Sequence, residues 1–573
     1  MPDVQIVLGL LVAVVVLAMI ARRLRLPYPI VMVIGGLALA VIPGVPRVEL
    51  APGIVFLVFL PPLLFKTAWS TSIRDFRANF RSISLLAFGL VLTTTVGVAA
   101  IAHAVIPGLP WPTAFILGAV VSPTDAVAAT AIMQRLGAPR AVVAIVEGES
   151  LVNDASGLVV YRLAVVAATT GGVALWQAGP LFLLTVIGGV AVGLLIGWLM
   201  AQIHLRLEDP LIEITLSFLA PYAAYLVAEG VEVSAPLADL ARILHIAGAD
   251  RIAATNLDAS GVLAVVVAGL YVGWRSPELL SPNTRVQGIA VWDMSEFIFN
   301  GLAFILIGLQ LPLILSGLRG RPIGDLLVYA VLICLAVVVI RVLWTFPGAY
   351  LPFLFRRVRR RERLPPWRSV TLTSWAGMSG AVSLAAALSV PVAVSGGPYF
   401  GGRDLILFLV FGVILFTLVV KGMTLPVLTR ALGLAGGDGG DLHEEKIARF
   451  KIIAAAERRL DEMVELDGED WIEGSHVGWI RGHFAKQRRL VETRFGVVVN
   501  GSGPGSMVRA DEEVTAAHRV KHEHIRRLRI ELTTAERAEL VRLRNQGAIS
   551  DGVMHRIEHD LDLEDLLLAQ API

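Results

Sequence analysis

Three carboxylates fall within eight residues in the stretch Glu147-Gly148-Glu149-Ser150-Leu151-Val152-Asn153-Asp154. The surrounding sequence, from about residue 141 to 168, is apolar and long enough to cross a bilayer as a helix. A charge at mid-bilayer costs about 2.5–3.5 kcal/mol even on the lenient insertion scale, so such groups need a purpose. Helical spacing puts Glu147, Ser150 and Asp154 near one face and Glu149 and Asn153 on an adjacent one. From Arg140, Asp154 lies about 21 Å along the helix at 1.5 Å per residue, near or just beyond the midplane. A carboxylate stripped of water can hold either a proton or a hard cation such as Na+, but not both. Oxygens from Ser150, Asn153 and Thr124 suit an alkali cation. Competition at one carboxylate, combined with alternating access, is enough for antiport. For Glu149 the competing reading is a structural ion pair between helices.

Two other segments carry features that an uninterrupted helix would avoid. Ser122-Pro123-Thr124-Asp125 sits inside an apolar run. The proline removes a helical hydrogen bond, and the polar neighbours can cap the freed backbone. Trp375-Ala376-Gly377-Met378-Ser379-Gly380-Ala381-Val382-Ser383 places two glycines and two serines in mid-span. These weaken a helix and allow close backbone approach. Taken singly, the first reads as a proline kink and the second as a small-residue packing face. One interrupted helix in each half of a chain points instead to an inverted-repeat transporter with its site at the crossing.

The elements that must position these residues follow from composition. The 573-residue chain is 55% hydrophobic and only 17% charged, with a mean hydropathy of +0.72. Apolar runs predict thirteen spans, at about 4–21, 27–43, 51–67, 82–106, 111–133, 141–168, 179–203, 210–229, 260–274, 288–315, 325–351, 368–390 and 404–430. The fold class is therefore an all-α polytopic membrane protein. Loops after odd-numbered spans hold roughly nineteen basic residues, including Arg22, Arg74, Arg140 and the cluster from Arg356 to Arg368, against six in the others. That bias predicts an outside N-terminus and a cytoplasmic C-terminus. Asp3 precedes the first run and Arg22, Arg23 and Arg25 follow it, the reverse of a signal peptide. A transmembrane domain is expected over 1–433 and a cytoplasmic helical domain over 434–573, entered through Gly436-Gly437-Asp438-Gly439-Gly440. In that tail, Thr533-Thr534-Ala535-Glu536 has the spacing of a capping box and predicts a helix start. Residues 235–259 are too polar to span and suggest a short amphipathic helix at the outer face. The net charge of +2 gives no reason to expect a nucleic-acid partner, and the lone Cys334 cannot form an intrachain disulfide. No cofactor is called for.

At these residues the chain resembles the bacterial branch of the sodium/proton exchanger family of monovalent cation/proton antiporters, over roughly residues 1–430. The resemblance rests on Phe59-Leu60-Pro61-Pro62-Leu63-Leu64-Phe65, Ser122-Pro123-Thr124-Asp125-Ala126-Val127-Ala128, the 147–154 stretch and Trp375-Ala376-Gly377-Met378. It implies a homodimer in the plasma membrane, two crossed broken helices, and an elevator-like movement against a dimerisation domain. It also implies that Asp154 binds the cation and the proton, with Asn153 as its partner in electroneutral exchange. Ser150 and Thr124 would supply oxygens, Asp125 would stabilise the crossing, and Glu149 would be structural.

Three departures from the family pattern stand out. Ser379 stands where relatives carry an arginine that resembles the partner of Glu149. Lys66 stands where some relatives carry an acidic or small residue, and the 235–259 stretch resembles an insertion. An unpaired buried charge is costly. The expectation is therefore that Lys66 or Lys421 neutralises Glu149, with Arg341 a weaker candidate. Competing functions are K+/H+ exchange and a non-transporting sensor that signals through its tail. A channel is disfavoured because no filter-like repeat is evident. An enzyme is disfavoured because Gly148-Glu149-Ser150 lacks the second glycine of a nucleophile elbow.

Overall fold

Backbone groups inside a bilayer must be satisfied within the segment that carries them, and apolar runs of this length do so as helices. The structure, a computed structural model, describes residues 2–24, 26–42, 55–170, 175–207, 209–231, 258–318, 322–361, 364–390, 402–436, 440–466, 474–494 and 516–570. The principal helices of the first part are α1 (Pro2–Leu24), α2 (Tyr28–Val41), α3 (Leu60–Ser70), α4 (Val91–Val105), α5 (Trp111–Val121) and α6 (Val127–Arg135). Then come α7 (Arg140–Thr170), α8 (Leu175–His204), α9 (Pro210–Glu229), α10 (Gly261–Leu279), α11 (Pro282–Leu309) and α12 (Ile323–Tyr350). The set closes with α13 (Trp367–Ala376), α14 (Ala381–Leu388), α15 (Arg403–Phe416) and α16 (Gly422–Ala431).

Each of the thirteen expected segments contains helix among its described residues. Among those residues, nine stretches are long and apolar enough to cross a membrane, and three shorter apolar helices accompany them. The fifth and twelfth segments are each divided, as α5/α6 and α13/α14. Residues 235–257 of the polar stretch lie outside the described residues, as do 437–439 of the glycine linker.

Two banks of helices form. α3, α8, α9 and α10 pack together, while α5, α7, α12, α13 and α14 gather around the divided segments. Stacking of Trp292 on Phe65 and Phe218 ties α11 to the first bank. α12 shows how sequence pattern chooses faces. Leu327, Val331, Leu335, Val339 and Leu343 form an exposed stripe at every fourth position, suited to lipid. Ile333, Val337, Arg341 and Thr345 are buried on the other side.

The chain divides into two compact units, 1–280 with 290–437 and 281–289 with 438–573. The second contains α17 (Gly440–Leu466), α18 (Gly474–Arg494), α19 (Ala516–Asn545) and α20 (Asp551–Gln570), packed through two apolar clusters. It also includes the opening of α11. There, Arg285 donates to Asp562 at 2.6 and 2.9 Å and lies 3.6 Å from Glu558. The expected helix start at Thr533 is not found, because α19 runs through it unbroken. Thr533 Oγ1 instead donates to the Arg529 carbonyl at 2.9 Å, as a mid-helix threonine does. Gly547, with φ +74°, turns the chain into α20, and the Ser550 hydroxyl accepts from Val553 N at 3.2 Å.

Glu536, 1% exposed, has its carboxyl pushed up to about 7 by burial and by Asp565, against the opposing pull of Arg529 and Arg537. The raised value means that the folded tail favours the protonated form. The associated stability is complete below about pH 4.5 and is lost as pH rises through about 7. Hydrogen-exchange protection of α19 in the full chain is expected to fall about tenfold between pH 6 and 8. Glu536→Gln should flatten this dependence; an unchanged slope would refute the assignment.

Candidate functional site

The two divided segments meet at their breaks. Asp125 N donates to the Met378 carbonyl at 2.6 Å, forming a single antiparallel bridge. Glycine is required for this approach. A Cβ on Gly380 would collide with the Asp125 carboxylate, and one on Gly377 would collide with the Arg341 guanidinium. Each break leaves helix-end groups without intrahelical partners, and nearby side chains serve them. The Asp125 carboxylate accepts from Val127 N at 2.8 Å, an anion at the positive end of α6. Ser150 Oγ accepts from Ala126 N at 3.1 Å. The wide turn Thr417–Lys421 supplies the other break: Thr417 Oγ1 accepts from Ser379 N at 3.0 Å, and Lys421 donates to the Gly377 carbonyl. Lys421 thus serves the carbonyl end of α13.

One buried network runs behind the crossing. Arg341 donates to both carboxylate oxygens of Glu149, at 2.6 and 2.7 Å, and its Nε donates to the Ser374 carbonyl at 3.0 Å. Both side chains are almost fully enclosed. Thr124 Oγ1 donates to Glu149 at 3.2 Å and accepts from Asn153 Nδ2 at 2.7 Å. This corrects the expected pairing. Lys66 pairs with Asp293 at 2.7 Å and Lys421 serves a backbone carbonyl, so Arg341 is the partner of Glu149. The physical reason is reach: α12 packs beside α13 and directs a rigid, forked guanidinium at the carboxylate. Ser379 therefore leaves no uncompensated charge behind.

In front of the network lies a cavity of about 390 Å³ between the two banks. Glu147, Ser150 and Asp154 line it, as their i, i+3, i+7 spacing requires, while Glu149 and Asn153 turn toward Thr124. Glu147 accepts from Gln134 at 3.0 Å near one end, where Asp293 is 61% exposed. Deeper in, Asp154 is only 4% exposed. Among the described residues its carboxylate accepts no hydrogen bond, and neither does the buried Oδ1 of Asn153. Asp125 also reaches the cavity. Across from it stand Tyr28, Glu296 and Asn300, which sequence reasoning did not assign. Their signal was present in part, since Asp293 and Glu296 are ionisable residues one turn apart inside an apolar run.

The family model described as "Sodium/hydrogen exchanger, transmembrane" matches residues 10–241 and 244–431. An uncharacterised Na+/H+ exchanger of Mycobacterium bovis is 31% identical over 567 residues, covering 98% of this chain and 96% of that protein. A sodium, potassium, lithium and rubidium/H+ antiporter of Bacillus subtilis is 29% identical over 579 residues, covering 99% of this chain and 78% of that protein. The fold is also that of the sodium proton antiporter from Methanocaldococcus jannaschii, with a TM-score of 0.56, 17% identity and coverage of 75% of this chain and 99% of that one.

Proposed function

We propose, from the premise that this chain belongs to the sodium/hydrogen exchanger family, that it is an antiporter carrying either one monovalent cation or one proton on Asp154. The observation that carries this reading is the state of the buried carboxylates. Glu149 is neutralised by Arg341, and Asp125 is occupied with the backbone of the crossing. Asp154 alone among them faces the cavity with no partner among the described residues. A single unpartnered carboxylate among these three, with the half-buried Glu296 across the cavity, supports a one-for-one, electroneutral cycle. Na+ is the first reading for the cation. Exchange of K+ or Li+ is the second, favoured by oxygen ligands that suit any alkali ion and by the range of cations in the name of the Bacillus subtilis relative.

Asn153, Ser150 and Thr124 provide the neighbouring oxygens, and Asp125 holds the crossing together. The charge bias of the loops supports an outside N-terminus and a cytoplasmic tail in the plasma membrane. The mouth marked by Ser70, Gln134 and Asp293 is then the cytoplasmic one. A homodimer and an elevator-like stroke of the α7 bank complete the reading.

The test uses purified protein in liposomes loaded with Na+, Li+ or K+. Cation gradients are expected to collapse an imposed pH gradient. An added 100 mV potential, worth about 2.3 kcal/mol per charge moved, should leave the final gradient unchanged. A shifted end-point would exclude the one-for-one count, and no exchange with any cation would favour the sensor reading.

A further inference from the structure

Beyond Asp154, the same helix reaches a second cavity. It has a volume of about 370 Å³ and is lined in part by Leu158, Tyr161, Arg162, Glu229, Asp258 and Ser389. Leu158 is one turn past Asp154 and Arg162 two turns past, about 12 Å along the axis. Between the two cavities, Leu158 and Tyr161 are 8% and 6% exposed and close the way along α7.

Adjacent residues tie this end of α7 in opposite directions. Tyr161 shares a hydrogen bond of 2.8 Å with Ser389, just past α14, so it grips the bank of the divided helices. Arg162 crosses to the other bank. Its Nη2 lies 2.7 Å from both carboxylate oxygens of Glu229, the last residue of α9. Glu229 has little freedom to follow a moving partner. The start of α10 presses against it so closely that a Cβ on Gly261 would lie 2.9 Å from its Oε1.

We infer that the Arg162–Glu229 pair is a gate, the tie that must break before Asp154 can be reached from the outer side. The inference rests on the proposed antiport at Asp154. A carboxylate that exchanges ions between two sides must face each in turn. In this structure it lines the cavity that opens near Asp293, and among the described residues Leu158 and Tyr161 stand between it and the second cavity. α7 is a single helix of 31 residues, so a shift that opens the far end carries Arg162 away from α9. Tyr161 can keep its bond to Ser389 through that shift, because both belong to one bank. The guanidinium cannot stay on Glu229. Both side chains are half-buried, at 32% and 24%, which suits a contact that forms and breaks with water at hand.

The test places a reporter on the closed path, Leu158→Cys in a Cys334→Ser background of the full chain. Intact cells are treated with a membrane-impermeant maleimide, and the labelling rate is read with antiport on vesicles from the same cells. Glu229→Gln and Arg162→Gln should each speed labelling at least fivefold. The exchanged pair, Arg162→Glu with Glu229→Arg, should return it toward the parent rate. Unchanged labelling in both single variants, with exchange present in the parent, overturns the gate alone. Absence of exchange in the parent overturns the antiport reading on which it rests. Arg162→Gln serves as the second probe should Glu229→Gln fail to reach the membrane.

Discussion

Asp154→Asn is expected to abolish exchange, with a fall of at least a hundredfold in the rate at which Na+ collapses a pH gradient. The amide is the same size and keeps the packing, but it can neither release a proton nor neutralise a cation. Stability should not fall, because removing a carboxyl from a site 4% exposed also removes the penalty of enclosing it. Loss of activity and loss of fold are thereby separated. Binding supplies a second readout. A ligand that binds only the folded protein adds about 2.7 kcal/mol at a hundred times its Kd, so Na+ should raise the thermal midpoint of the parent and leave the variant unmoved. Equal exchange by the two proteins would remove Asp154 from the mechanism.

Arg341→Ala is expected to be the most destabilising single change in the membrane unit, by about 3–5 kcal/mol, because it strands the Glu149 charge in an enclosed site. Restoring neutrality should recover most of that loss. Arg341→Met with Glu149→Gln is expected to approach parent stability, since it removes both enclosed charges and keeps an oxygen that accepts from Thr124. Lys66→Ala is the contrast. Its partner Asp293 is 61% exposed, so the loss should stay below about 1 kcal/mol. Thermal midpoints in detergent, with the four proteins side by side, decide the matter. If Arg341→Ala were no worse than Lys66→Ala, the Glu149–Arg341 pair would not be what neutralises the site.

The apolar helices and both breaks were legible in the sequence because their causes are local. Length and hydropathy mark a spanning helix, and Pro123 and the glycines at 377 and 380 mark where one cannot continue. The cavity-facing set was legible too, since i, i+3, i+7 spacing within one helix fixes a common face. The partner of Glu149 was not. Arg341 is 192 residues away, and sequence alone ranked it behind Lys66 and Lys421 until helix packing chose among the three. Glu296 and Asn300 escaped assignment for a related reason, as they meet Asp154 across a gap between helices that share no local signature. At Thr533 the local signal existed but lost. A capping box stabilises a helix start only where the chain arrives from outside the helix, and here α19 is already under way.

The discontinuous second unit has a consequence for biosynthesis. Its first piece, Ser281–Ile289, leaves the ribosome well before the rest. Asp562 follows Arg285 by 277 residues, which at about 5–20 residues per second is a wait of roughly 14–55 s. Throughout that interval the opening turns of α11 are present without their carboxylates. This unit can therefore close only at the end of translation, and its assembly must follow the emergence of every helix in the other unit.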